Sequence, residues 1–171
     1  MSEAPAWDRH AYGAVDAPLT VVEHGDFECP FCAAAAPVLR ALVDGSDGAV
    51  RLVFRHFPLF TKHPFALTAA LASEEAAGQG RFWELHDLLF RHQADLSDPQ
   101  LVALAERAGL ADPAAVAGAG AQRHRPAVEA DYADGGAAGV RGTPTLFVDG
   151  RLYTGRVEEA ALRRELGLPR R

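Results

Sequence analysis

The sequence predicts an α/β domain interrupted by an all-helical block. Three observations lead there. Residues 19–24 are β-branched and apolar, so they read as a buried strand, and Val38, Leu39, Leu42 and Val43 behind them are spaced for a helix packed on a sheet. From His63 to about Gly139 every pattern is helical. After that block, residues 145–148 and 151–154 flank Asp149-Gly150, a dipeptide favoured in two-residue hairpin turns.

Taken in order, residues 1–17 read as irregular with a short edge strand, and Asp16-Ala17-Pro18 turns into the first buried strand. The following helix starts at Cys29, with Pro30 at the first position, where no amide hydrogen is needed. Asp44, Gly45, Asp47 and Gly48 make a turn cluster before an alternating strand over 50–55. Residues 57–60 end that strand.

The helical block then holds five helices. One covers 64–77 and stops at Gly78, and one covers 81–92 with Phe82, Leu85, Leu89 and Phe90 inward. Ser97-Asp98-Pro99-Gln100 has the capping-box pattern and opens a third, ending at Gly109. Asp112-Pro113 starts a short fourth, and a fifth covers 122–138 with Pro126 in its first turn. A last helix spans 157–166 and ends at Gly167. Residues 1–62 and 139–171 thus form the sheet domain, and 63–138 a helical insertion.

The chain has 171 residues and a net charge of −6, with 49% hydrophobic and 23% charged residues, the balance of a globular protein. No basic patch suits nucleic acid or anionic lipid, and Pro169-Arg170-Arg171 reads as a solvated tail. No apolar run approaches the ~18 residues of a membrane span. Met1 to His10 lacks the charged-then-apolar layout of a signal peptide, so the expectation is a cytoplasmic protein. Disulfides there are usually catalytic or transient.

Both cysteines lie in one motif, Cys29-Pro30-Phe31-Cys32, where a strand gives way to a helix. The first amides of a helix lack intrahelical partners and carry partial positive charge. A Cys29 thiolate at the N-cap is stabilised by them, and thiolate is the form that attacks disulfides. Cys32, one turn inside, is the more buried partner. Three other readings stand beside this one. A structural staple gains little from so short a loop. Half a zinc site lacks a third cysteine and an H-x₃-H pair, so no metal is expected. Two inert buried thiols are the third.

Other residues near the motif carry two readings each. Glu23, in a buried strand, is either an exposed-face carboxylate or a buried acid of raised pKa that takes the Cys32 proton. Asp26 and Glu28 flank Cys29 at the surface, as charges that moderate its acidity or as solvated loop charges. His24 either tunes Cys29 or packs. Phe27 and Phe31 form an apolar rim for clients or belong to the core. Pro144 opens a strand, which a trans proline also does.

Asp26-Phe27-Glu28-Cys29-Pro30-Phe31-Cys32 together with Gly142-Thr143-Pro144-Thr145 resembles the DsbA-like branch of the thioredoxin superfamily. The likeness continues through Arg55 to Leu59, His63-Pro64 with Ala66, Phe82 to Asp87 and Gly139 to Gly142, covering roughly residues 13–167. It implies a thioredoxin fold with a helical insertion and a thiol–disulfide oxidoreductase. Cys29 would be the exposed attacking sulfur and Cys32 the resolving thiol. Pro144 would be a cis proline facing them, and Glu23 the family's buried acid. Thr143 would offer backbone hydrogen bonds to an extended peptide, beside Pro30 and Phe31. No cofactor is implied beyond the redox-active Cys29–Cys32 disulfide. The partners implied are protein or peptide thiols and disulfides and an unidentified redox partner.

Two departures bear on activity. Strongly oxidising members have histidine where this chain has Phe31, which predicts a less oxidising pair. Most relatives also work outside the cytoplasm. Two other classes share the scaffold: a redox-inactive peptide-binding module, and a glutathione-dependent isomerase or transferase. The latter commonly has serine in place of the first cysteine.

Overall fold

A computed structural model of the chain describes residues 6–170. Met1 to Pro5, half of the segment read for a leader, and Arg171 of the tail lie outside them. The strands are β1 (Ala11–Gly13), β2 (Leu19–Gly25), β3 (Val50–His56), β4 (Thr145–Val148) and β5 (Arg151–Tyr153). They form one sheet in the order β1-β3-β2-β4-β5, with β2 parallel to β3 and the other pairings antiparallel. A parallel pair requires a crossover, which helix α1 (Pro30–Asp44) supplies between β2 and β3. The central strands β2 and β3 are the most apolar because both their faces are covered.

The insertion between β3 and β4 contains α2 (Ala66–Gly78), α3 (Phe82–Arg91), α4 (Asp98–Ala108), a 3₁₀ turn (Pro113–Val116), α5 (Gly118–Gln122) and α6 (Arg125–Ala137). α7 (Glu159–Glu165) closes the fold. This is a thioredoxin-like fold carrying helices between β3 and β4.

Several local expectations change in detail. The short fourth helix is a 3₁₀ turn, and α5 is an element the periodicity did not separate. Ala117 is extended and Gly118 has φ +64°, which breaks the chain between them. Ser97 occupies the N-cap of α4 but makes no side-chain cap hydrogen bond; its amide instead binds the Asp95 carboxylate at 3.0 Å. α1 continues through Pro37, whose missing amide leaves a helical carbonyl without its usual donor. Burial of Ala35, Ala36 and Leu39 around that proline holds the helix together. The Asp149-Gly150 turn has positive φ at both residues, as its type requires.

Two apolar clusters meet at α1. Val21, Leu39, Leu42, Val50, Leu146 and Leu162 form one, between sheet, α1 and α7. The other joins Cys32 and Phe54 to α2, α3 and α4, so the insertion shares a core with the sheet. Gly25 closes β2 where a Cβ would run into the Phe54 ring.

A charge network ties the same two parts. Asp131 of α6 accepts from Arg9 at 2.8 and 2.7 Å, from Arg55 at 3.1 and 2.8 Å, and from the His56 amide at 3.0 Å. Glu74 of α2 accepts from Arg9 at 2.6 Å, with His10 and His56 at 2.8 and 2.9 Å. Burial pushes the Glu74 carboxyl up, but its imidazole and guanidinium partners outweigh that and hold it far below the usual range.

Candidate active site

The site is assembled where β2 ends and α1 begins. Cys29 is the N-cap of α1, in extended conformation, with Pro30 at the first helical position. Its sulfur makes no regular side-chain cap hydrogen bond, so the helix terminus acts on it through the partial positive charge of its first amides. Both cysteines are free thiols, and both are buried. The expectation of an exposed Cys29 is therefore corrected: its residue is only 3% exposed. The cover comes from the segment before β4, whose Thr143 carbonyl accepts the Cys29 thiol at 3.4 Å. The Thr143–Pro144 peptide is cis.

The two sulfurs are driven in opposite directions. A hydrogen bond from the Cys32 thiol favours the Cys29 anion most. Burial opposes it, and the Thr143 side chain and the backbone amides of Cys32 and Phe31 add to it. The Cys29 thiol is pulled down to about 5. The Thr143 hydroxyl contributes although it holds no hydrogen bond of regular geometry. Burial pushes the Cys32 thiol well above its usual range, helped by its bond to Cys29 and by the Glu23 charge.

Glu23 lies in β2 with a fully buried carboxyl and no hydrogen-bond partner on either oxygen. It is the buried acid of the two readings above. Burial, then the Cys29 charge, lifts it to about 8.

His24, on the same strand, is buried with its ring edge against Phe57 and Phe147. Burial lowers it to about 4, so it is a neutral packed histidine. Phe27 is core: it stacks on Phe54 at 5.2 Å and packs against Phe90 and His86. Phe31 is 72% exposed and remains the apolar rim residue.

Asp26 and Glu28 depart from the expected surface charges. Asp26 is buried, its carboxylate accepting from the Glu28 and Leu59 amides and meeting His63 Nδ1, each at 2.8 Å. Glu28 accepts the Phe65 amide at 2.6 Å. Chain segments 33 to 37 residues apart in sequence are thus laced together at the motif, which local pattern could not show. Gln93 is a further residue without a sequence signal: its amide donates to the Phe27 and Cys29 carbonyls at 3.0 and 3.3 Å.

Among the described residues, one group has metal-ligand chemistry: His10, His56 and Glu74, with ligand atoms within 4.8 Å of one another. Its members come from β3, α2 and the segment before β1, so no H-x₃-H spacing announces it. The Arg9 guanidinium already holds the Glu74 carboxylate and opposes a cation there. The cluster reads as part of the buried charge network.

The family description "Thioredoxin" matches residues 6–166. Among curated relatives, a protein named Na(+)/H(+) antiporter NhaA 1 from Salinispora arenicola is 42% identical over 90% of this chain and 23% of its own length. One named Na(+)/H(+) antiporter NhaA 3 from Salinispora tropica is 47% identical over 85% of this chain and 22% of its own length. The chain spans about a quarter of the length of the curated relatives it matches. Oxidised BdbD from Bacillus subtilis superposes with a TM-score of 0.81 at 24% identity, over 97% of this chain and 95% of that one. A thioredoxin-like oxidoreductase from Silicibacter pomeroyi gives 0.77 at 27% identity, over 92% and 89%. The paired thiols at the start of α1, the Thr143–Pro144 segment against them and these likenesses agree: the chain belongs to the DsbA-like branch of the thioredoxin family.

Proposed function

We propose that this chain exchanges disulfides with protein or peptide thiols through Cys29 and Cys32. The observation that carries the reading is the placement of two free thiols at one helix terminus, Cys29 at the N-cap against the Thr143 carbonyl and Cys32 fully buried one turn inside. In the oxidised chain, a substrate thiolate attacks the Cys29 sulfur. A substrate–Cys29 disulfide forms, the Cys29–Cys32 bond breaks, and Cys32 leaves with the electron pair and takes a proton. A second substrate thiolate then attacks the substrate sulfur and Cys29 leaves as a thiolate. The substrate has lost two electrons and the chain has gained them. The reverse sequence reduces a substrate disulfide.

Cys29 is suited to the leaving role by its low pKa and Cys32 to the protonated one by its high pKa. Glu23 is the proposed acceptor when Cys32 must lose its proton in the mixed disulfide, where Cys29 carries no charge and no longer adds to the rise of the acid. Thr143 is the proposed backbone contact for an extended peptide. Its carbonyl holds the Cys29 thiol in the reduced chain and is released when that proton leaves. Phe31 and Pro30 give clients an exposed apolar edge. The antiporter name of the curated relatives belongs to far longer proteins. What the chain shares with them is the domain that holds this site.

The test is equilibration in graded glutathione buffers, alkylation and mass analysis. A reversible two-electron couple is expected. A potential near about −120 to −180 mV assigns oxidation or isomerisation, and one near about −270 mV assigns reduction. A Cys32→Ser variant should accumulate the mixed disulfide with client protein. If no reversible disulfide forms at any poise, the peptide-binding reading replaces this one.

A further inference from the structure

The motif loop is held from outside the sheet domain. Residues 26–29 turn β2 into α1, and the Cys29 amide binds the Asp26 carbonyl at 3.1 Å. The Cys29 carbonyl is the first acceptor of α1, taking the Ala33 amide at 3.1 Å. It takes a second donor as well, Gln93 Nε2 at 3.3 Å, and the same nitrogen reaches the Phe27 carbonyl at 3.0 Å. Gln93 lies between α3 and α4 and is half-buried. Both of its bonds go to backbone carbonyls, and neither goes to a sulfur.

Cys29 makes no regular side-chain cap hydrogen bond, but the Cys32 and Phe31 amides at the start of α1 favour its thiolate, and where they lie relative to the sulfur depends on its extended cap conformation, φ −74° and ψ 120°. That ψ sets the direction of the Cys29 carbonyl, the group that Gln93 grips. One amide nitrogen on two carbonyls two residues apart therefore fixes the peptide plane on which the thiolate's stabilisation depends. Donation to the carbonyl also draws negative charge away from the sulfur's side of the cap.

We propose that Gln93 is a positioning residue by which the helical insertion sets the acidity of Cys29. The proposal rests on Cys29 being the reactive thiol of the proposed exchange, but a thiol titration reads it separately. A chain that forms no reversible disulfide fails the exchange reading. A chain whose Cys29 titration ignores Gln93 fails this one.

The experiment compares Gln93→Leu, which keeps the volume and loses the donor, with Gln93→Asn, which keeps the amide but is too short to span both carbonyls. Rates of Cys29 alkylation are followed against pH in the full chain, with circular dichroism as the check on folding. Both variants should raise the Cys29 midpoint by about one unit, a tenfold loss of alkylation rate below both midpoints. The same tenfold, converted, moves the potential about 30 mV more negative. Should Gln93→Leu fail to fold, the milder Gln93→Asn decides alone. A folded variant with the Cys29 midpoint and potential of the parent overturns the proposal.

Discussion

Near neutral pH the Glu23 carboxyl carries a proton and the Cys29 thiol does not. The ordinary order of a carboxylic acid and a thiol is inverted, at about 8 for Glu23 and about 5 for Cys29. Burial without a hydrogen-bond partner disfavours the carboxylate, while donors converging on the sulfur favour the thiolate. The thiolate's charge then raises the acid further.

The first consequence is selective labelling. Iodoacetamide should modify Cys29 with a midpoint near about 5 and leave Cys32 unmodified until the chain unfolds. Equal labelling of both thiols in the folded chain would contradict the assignment of roles.

Proton counting gives the second. Above about pH 5 the reduced pair keeps one proton, on Cys32, rather than two. The potential should therefore fall by about 30 mV per pH unit in this range and by about 59 mV per unit below it. A steeper slope persisting up to neutral pH would show that Cys29 stays protonated.

Stability against pH separates the two groups. Glu23 is raised above its unfolded value, so the folded chain holds the extra proton and loses stability as pH rises from about 4.5 to about 8. Cys29 is lowered, so the reduced chain gains stability as pH rises from about 5 to about 9. The slopes oppose each other in the reduced chain; in the oxidised one, where Cys29 carries no charge, only the part of the Glu23 slope that burial causes remains. Oxidised Glu23→Gln should match the parent in acid and exceed it above about pH 8 by on the order of 3 kcal/mol. Urea titrations at both ends of the range check this, and a constant difference would refute it.

The network around Asp131 is structural. Asp131→Ala leaves Arg9 and Arg55 facing a buried gap and should cost about 3–5 kcal/mol. Hydrogen bonds from Arg9 and the charges of His56 and Arg9 outweigh burial and lower the Asp131 carboxyl. Its contribution is thus present above about pH 4 and lost as pH falls further. Thermal or urea unfolding of the variant against pH is the measurement.

Phe27 and Phe31 divide packing from recognition. Phe27→Ala, inside the aromatic cluster, should cost about 3–5 kcal/mol. Phe31→Ala should change stability by no more than about 0.5 kcal/mol. It should slow exchange with unfolded protein substrates and leave exchange with a small disulfide intact. Parallel losses on both substrates would remove Phe31 from client binding.

Legible in the residues alone were the strands along the chain, the helical insertion without its α5, the hairpin at Asp149-Gly150 and the placement of Cys29 and Cys32 at a helix start. Those features depend on side-chain periodicity, turn chemistry and spacing within about one element, and such information is local. Burial and hydrogen bonding at the ambiguous residues came only with folding. Glu23 and Asp26 have similar carboxyls three residues apart, yet one is buried without a partner and the other accepts three hydrogen bonds. Phe27 is core and Phe31 is rim although both flank Cys29. The cover that Thr143 lays over Cys29 and the grip of Gln93 on its carbonyl join residues 114 and 64 positions apart. Burial, hydrogen bonding and the acidity they produce belong to the neighbours a residue acquires on folding, and those neighbours come from distant segments.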